Sequence, residues 1–464
     1  MTASAAAAKR HSSLHPVLIM LAVMLVAAAL THVVPAGKFA RSGNRMIPGT
    51  YRVLPKVNGL PALLSPTPPA ESDSPARAAG LVSLFTAIPQ GMTKSATLIF
   101  MVMFIGGMFG VLRATGAVDA GIDRLLHLTS GNAYLLTIGL MLVLSCGSTF
   151  LGFYSEYIAI IPLVLAVGQR FQLPNLFAAA IVVMSCMIGY AASVTNPVQL
   201  SVAQPLAGVP IFSGFIPRLG LFAVMLPLGL AYVLLYLRRL PKIGHVPEAR
   251  PLSRRQVAVL VTLLLEAAVM VVGTILWSWG IGQYASLFIA FSLASAWVGG
   301  LPPRTAADAF LAGMQGMLLA CVMIGLGSAI EIMLRSSQIL DSVVQGLAGL
   351  VQGHQGGVVA DCMMGVETIF DLLIHSTAAL ATITMPILTP IAHLSGVSGQ
   401  VTVTSLLLGS GLTNMISPTN GLLFAFLAAS KVGYGEWVRF VAPLFAVLCL
   451  VGLAALYLMA SLRV

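Results

Sequence analysis

A four-residue motif, Ser-x-Thr-Asn, interrupts apolar sequence twice, as Ser193-Val194-Thr195-Asn196 and as Ser417-Pro418-Thr419-Asn420. Each copy is followed by a residue that breaks or redirects a helix, Pro197 in the first and Gly421 in the second. The copies lie 224 residues apart (193 to 417), and the same offset carries Pro162 in IIPLVLAV onto Pro386 in TMPILTPI. Hydroxyls and amides beside a helix breaker are costly in hydrocarbon, because the freed backbone groups find no water there. They are tolerated where unwound backbone lines a cavity. Paired breaks at matching places in two halves mark the midplane binding site of a transporter. The pattern predicts a secondary transporter made of two repeats.

Composition supports a membrane setting. Hydrophobic residues make up 58% of the 464 and charged residues 8%, against roughly 25% charged in soluble domains; mean hydropathy is +0.96. That length accommodates many spans of roughly 20 residues. The net charge of +10 is spread over short loops between apolar segments, which fits orientation by cytoplasmic Lys and Arg better than nucleic-acid binding. Cys146, Cys186, Cys321, Cys362 and Cys449 sit in largely apolar context without a CxxC pair, so they read as packing thiols, not disulfides or metal ligands. No HExxH or GxxxxGK[ST] run is present, which argues against a membrane enzyme. A channel or uncoupled facilitator of small organic anions is the alternative to a carrier, and its flux would be far higher.

The first repeat is read as 1–237. A basic start precedes a first span at 16–34, which is too long for a secretory signal core and leads into HVVPAGKF, not a small-residue cleavage site. Residues 35–95, with SPTPPAESDSP, read as a polar extracytoplasmic loop. A second span at 96–112 contains Gly106 and Gly110, a GxxxG pair that permits close helix contact. Residues 113–130 look interfacial. At 133–168 an apolar stretch is knotted in the middle by Ser148-Thr149, Gly152 and Tyr154-Ser155-Glu156, which predicts a re-entrant hairpin. A broken helix at 176–206 and a span at 218–237 follow.

Six basic residues at 238–256 form a cytoplasmic linker: Arg238, Arg239, Lys242, Arg250, Arg254 and Arg255. The second repeat, 257–464, is read as spans at 257–276, 283–300 and 309–330, an amphipathic stretch at 331–350, a hairpin at 357–393, a broken helix at 401–430 and a span at 438–460. Nine crossings plus two hairpins make the repeats inverted, with the N-terminus inside and the C-terminus outside.

Unwound carbonyls in each Ser-x-Thr-Asn can coordinate Na⁺, and a half-helix start favours a carboxylate. The bland alternative is that these side chains only satisfy the kinked backbone. Glu156, a carboxylate in a hairpin tip, is read as a binding or coupling residue, or else as a capped structural acid. Glu367, Asp371 and His375 follow an i, i+4, i+8 pattern and would share one helix face, forming either a proton relay or a packing stripe. Glu266 lies inside an apolar span and is expected to face the interior. No Arg or Lys lies in a hairpin tip or beside either motif, which lowers the weight of a dicarboxylate substrate and raises that of a cationic or zwitterionic amino acid.

The stretches HVVPAGKFAR…IPGTY (32–51), GGMFGVLRATGAVDAGI (106–122), TNPVQLSVAQPLAGVPIFSGF (195–215), TMPILTPIAHLSGVSGQV (384–401) and GLTNMISPTNGLL (411–423) resemble the YfcC/DcuC family of the ion-transporter superfamily, a family assigned C4-dicarboxylate or basic amino acid carriers. The resemblance runs over nearly the whole chain. It implies an all-α polytopic membrane protein of the elevator type, a homodimer in the bacterial inner membrane. Each protomer would have inverted repeats, hairpins and broken helices that hold a small carboxylate or amino acid. Symport or antiport with Na⁺ or H⁺ is implied, with no other cofactor and no nucleic acid.

Carried over by position, the binding residues are Ser193, Thr195, Asn196 and Pro197 at the first break, and Ser417, Thr419 and Asn420 at the second. Ser148, Thr149, Ser155 and Glu156 fall in the first hairpin, Ser376 and Thr377 in the second, and Ser410 and Asn414 in a G-x-G-x-T-N run. The chain departs from the family pattern at His375–Leu380, where a Gly/Ser-rich tip is usual, and at Ser410, where Asp is usual.

Overall fold

The computed structural model describes residues 16–42, 45–47, 49–57, 62, 64, 75–118, 120–121, 124, 132–240, 253–277, 279–351, 354 and 356–462. Half of the expected interfacial stretch 113–130 and most of the basic linker 238–256 lie outside these residues.

The first half begins with α1 (Pro16–Val33). The Lys56 ammonium donates to the carbonyls of Thr31 and Val34, 2.7 Å from the latter, so a cation caps the C-terminal end of α1. The loop after α1 is stitched by three pairs of two-residue strands: Gly37–Lys38 with Arg52–Val53, Arg41–Ser42 with Arg45–Met46, and Lys56–Val57 with Ala76–Arg77. The expected polar loop over 35–95 is corrected here, because α2 (Leu81–Lys94) occupies its last part. Ser83, Ala87 and Gly91 are buried on one face, so LVSLFTAIPQGMTK is amphipathic. Pro89 sits within the helix without ending it.

Next come α3 (Ala96–Ala114) and α4 (Ala133–Cys146), which runs on as a π turn, Gly147–Leu151. Gly152 (φ 79°) reverses the chain. A 3₁₀ turn, Ser155–Ile160, then leads into α5 (Ile161–Arg170). The broken helix consists of α6 (Asn175–Ala192) and α7 (Pro197–Leu206), and α8 (Phe215–Arg239) follows.

The second half contains α9 (Arg254–Trp277), α10 (Ile281–Gly299), α11 (Pro303–Gly316), α12 (Leu318–Ser336) and α13 (Leu340–Val351). Then come α14 (Gly357–Asp371), α15 (Thr377–Leu394), α16 (Gly399–Thr413), α17 (Gly421–Ala429) and α18 (Tyr434–Ser461). The span expected at 309–330 is corrected: the chain breaks at Met317, and residues 331–336 continue α12. The amphipathic helix begins only at Leu340. Element bounds recur along the chain. Residues 133–170 return at 357–394, 175 at 399 and 197 at 421, while 81–94 and 96–114 return at 303–316 and 318–336.

Seven described helices are long and apolar enough to cross a membrane, counting 175–206 through its break. The nine crossings expected are not all met by long single helices, since 401–430 is divided into α16 and α17.

At the centre α6 packs on α16. Every residue from Leu176 to Ala192 is buried, as is all of α16 except Gln400, because NLFAAAIVVMSCMIGYAA is apolar or small on all sides. The hairpin arms α4 and α5 pack on α6, and α14 and α15 pack on α16. A second group forms alongside: α11 and α10 against α3, and α2 and α1 against α12. The GxxxG expectation holds in this group. A Cβ on Gly106 would lie 2.6 Å from the Gly313 carbonyl oxygen, and one on Gly110 would collide with Ala309, so α3 and α11 touch backbone to backbone.

Candidate functional site

Both breaks use the same local chemistry. Asn196 caps α7, its Oδ1 accepting from the amides of Val198 (3.0 Å) and Gln199 (3.3 Å). Asn420 caps α17 in the same way, accepting from Leu422 (3.0 Å) and Leu423 (3.3 Å). Two of the orphan N–H groups at each half-helix start are thereby satisfied. The threonine of each motif ties the break to a hairpin tip. Thr195 donates to the Phe150 carbonyl (3.1 Å) and Thr419 to the Leu372 carbonyl (2.8 Å). Thr149 accepts from the Val194 amide (3.1 Å), and Ser148 donates to the Cys186 carbonyl (2.7 Å). Ser193 closes α6 in the left-handed region, φ 40°, a conformation that costs a non-glycine residue about 1–2 kcal/mol.

Each hairpin tip also reaches the opposite break. Gln199 donates to Thr377 of the second hairpin (3.3 Å), and Thr377 and Ser410 share a hydrogen bond of 2.9 Å. Ser410 donates to Asp371 Oδ1 (2.7 Å). Asn414 donates to the Ser410 carbonyl (2.9 Å) and accepts from Asn420 at its Oδ1 (2.7 Å). Asn420 also donates to the hydroxyl of Tyr154 in the first hairpin (3.1 Å). A continuous buried hydrogen-bond chain therefore joins the two breaks. Such networks specify one arrangement, because an unpaired member is expensive in a dry interior.

A cavity of about 250 Å³ opens where this network meets the second helix group. Its wall includes Tyr154, Ser155, His375, Ser376, Asn420 and Glu331. Tyr154 stacks on Tyr190 at 4.5 Å. Its hydroxyl accepts from Asn420, which leaves its own hydrogen for a group in the cavity. Glu331 is held by Lys94 (2.7 Å) and Arg335 (3.2 Å), so two cations surround one carboxylate. The second break presses on α12 at Gly327, where a Cβ would lie 3.0 Å from the Thr419 carbonyl oxygen.

Of the sequence-predicted residues, Ser155, Ser376, Asn420 and His375 line this cavity. Ser193, Asn196, Thr377, Ser410, Asn414, Ser417, Thr419 and Asp371 belong to the buried network or the breaks behind it. Pro197 opens α7. Glu156 turns its carboxylate back to accept from the Tyr154 amide (2.8 Å), and it is not among the residues lining this cavity.

The relay stripe is also corrected. Because α14 ends at Asp371, His375 lies beyond the helix and meets the Asp371 backbone carbonyl (2.9 Å), not its carboxylate. Glu367 is held separately, by Thr384 (2.7 Å). Both acids are fully buried, and each keeps one oxygen without a partner among the described residues. Glu266 is buried, as expected.

Sequence distance concealed several members. Gln199 sits inside the first turn of α7. Glu331 lies one residue past the span end that the sequence suggests, within α12, which runs on to Ser336. Arg218 corrects the reading that no cation adjoins a motif. It is 1% exposed and donates to the Val194 carbonyl (3.3 Å), the Ser213 carbonyl (2.6 Å) and Gln400 (3.2 Å).

The family model described as C4-dicarboxylate anaerobic carrier, DcuC, matches residues 15–461. A protein of Escherichia coli (strain K12) named "Putative basic amino acid antiporter YfcC" is 27% identical over 392 residues, 77% of this chain and 78% of that one. A Haemophilus influenzae (strain ATCC 51907 / DSM 11121 / KW20 / Rd) protein named only as uncharacterized is 23% identical over 407 residues, 82% of this chain and 79% of that one. Among solved structures, the Alcanivorax borkumensis YdaH transporter aligns with a TM-score of 0.46 and 17% identity, over 97% of this chain and 99% of that one. The chain belongs to the DcuC family of carriers, and it is a multi-pass membrane protein.

Proposed function

We propose that the chain is a secondary active carrier that moves a small carboxylate-bearing solute through the cavity at Tyr154, Ser376 and Asn420. The observation that carries this reading is the convergence of both hairpin tips and a capped half-helix start on one cavity beside Lys94, Glu331 and Arg335. Two cations around one acid leave a positive surplus, and the α17 start and the Tyr154 hydroxyl add donors. A carboxylate end finds partners there, while the carboxylate of Glu331 is already engaged. Glu331 is nonetheless the one acid on the wall among the described residues, which keeps amino acids, the class in the name of the Escherichia coli relative, in the panel to be tested.

The recurring element bounds support two repeats; the reading takes them as inverted in topology, in a homodimer, N-terminus inside and C-terminus outside in an inner membrane. In that arrangement the hairpins and broken helices ride as an elevator against α2, α3, α11 and α12. Asp371 and Glu367, buried without a basic partner among the described residues, are where a coupling H⁺ or Na⁺ is taken up.

The test is uptake of labelled succinate and labelled arginine by purified protein in liposomes, with and without imposed Na⁺ and H⁺ gradients. Saturable, gradient-driven succinate uptake is the expected result. Arginine uptake without succinate uptake overturns the substrate assignment, and flux that no gradient drives and no concentration saturates overturns the carrier.

A further inference from the structure

The apolar furrow between α3, α10 and α11 shares no lining residue with the cavity at Tyr154. Its volume is about 420 Å³, and its walls include Val111, Leu293, Trp297, Ala306, Ala307 and Phe310. It stays open for a local reason. The glycine contacts between α3 and α11 bring those two backbones together, but Ala306 and Ala307 are too short to fill the space towards α10. No residue of α11 is buried, while Trp297 is 85% exposed and Leu293 69% exposed on the furrow's other bank. From Ile289 to Trp297 the wall runs about 12 Å along α10 at ~1.5 Å per residue, close to the depth of one leaflet's hydrocarbon.

One end of the furrow is basic. The Arg255 guanidinium lies against Gly300, where an added Cβ would fall 2.7 Å from its Nη1, and Gly300 precedes the lining residue Leu301. Arg304 follows the lining residue Pro303. Neither arginine is in an ion pair among the described residues, and Asp308, one turn beyond Arg304, does not pair with it. An acyl-sized apolar groove with the Arg255 guanidinium near its end and a second arginine, Arg304, next in sequence to its lining Pro303, neither ion-paired among the described residues, is complementary to one ligand class.

We propose that this furrow binds an anionic phospholipid, an acyl chain lying between α10 and α11 and the phosphate at Arg255 and Arg304. The assignment is independent of what the carrier moves. Native mass spectrometry of the full-length protein, titrated with phosphatidylglycerol and with phosphatidylcholine, tests it. Phosphatidylglycerol should bind in preference to phosphatidylcholine. Arg255→Gln and Arg304→Gln should each cost about fivefold of that preference, the effect of one basic residue near an anionic lipid. Ala307→Phe, which fills the furrow, should remove bound lipid of both kinds. Equal binding of the two lipids by the wild type, or undiminished phosphatidylglycerol binding by Ala307→Phe, overturns the proposal. Loss of a dimer without loss of lipid also overturns it, because the furrow would then be an interface between copies of the chain.

Discussion

The two breaks provide a matched pair of perturbations. Asn196 and Asn420 cap their half-helices with the same distances, 3.0 and 3.3 Å. Replacing an N-cap asparagine with alanine costs about 1–2 kcal/mol, so Asn196→Ala and Asn420→Ala share that loss. Asn420 loses more, because its amide also donates to Asn414 at 2.7 Å, a net hydrogen bond worth about 1 kcal/mol. The corresponding donors of Asn196 reach Ser193 and Gln199 at only 3.3 and 3.5 Å. The expected stability losses are therefore about 1–2 kcal/mol for Asn196→Ala and about 2–3 kcal/mol for Asn420→Ala.

Transport separates the pair further. Only Asn420 lies on the cavity wall, where it also holds the Tyr154 hydroxyl. Losing one oriented hydrogen bond of about 1 kcal/mol should raise KM about fivefold in Asn420→Ala. Asn196→Ala should stay within about twofold, since it has no such bond to lose at the cavity. The assays are SDS-titrated unfolding in bicelles and concentration-dependent uptake in liposomes. A KM rise in Asn196→Ala that matches or exceeds that of Asn420→Ala would refute the placement of the site at the second break.

Three further outcomes follow from the geometry. Glu156→Gln should keep uptake within about twofold, because the glutamine oxygen still accepts from the Tyr154 amide; abolished uptake in liposomes would return Glu156 to the mechanism. Gly152→Ala should destabilise by about 2–3 kcal/mol, combining a left-handed φ of 79° with a Cβ 2.5 Å from Asn196 Oδ1, as read by unfolding midpoint. Asp341→Ala should speed proteolytic cleavage within 35–57 by loosening that loop. It removes the acceptor of the Phe39 amide (3.0 Å) and the partner of Arg41 (3.1 Å), a loss of about 2 kcal/mol.

What the sequence discloses is what depends on near neighbours. An asparagine before Pro197 or Gly421 is a helix start by local rules, so both caps are visible in one dimension. The run of apolar and small residues in α6 announces its burial in the same way. Glu156 is different. Whether its carboxylate faces the cavity or its own backbone is decided by the reversal at Gly152 and Tyr154, and both outcomes have the same composition. Arg218 meets Val194 from 24 positions away and Gln400 from 182, distances over which pattern carries no information. The helix α2 was hidden because Pro89 and its polar neighbours weaken a stripe made of Ser83, Ala87 and Gly91, residues whose smallness suits close packing but gives little hydropathy.

The two motifs are locally equivalent, yet they do not make equivalent sites. Each supplies the same capped start and the same threonine tether to a hairpin tip. They differ in what lies opposite. Across from Asn420 stands α12, whose Gly327 lets the backbone of the break approach and whose Glu331 brings Lys94 and Arg335 to the cavity. Across from the Asn196 break stands α8, whose Arg218 fills the space and takes the Val194 carbonyl for itself. A carbonyl already bonded to a guanidinium is a poor ligand for a mobile cation, since the charge it would stabilise is already present. The duplicated motif thus sets the backbone chemistry, and the helix facing each copy sets its role: one break is held by a resident cation, and the other borders the cavity.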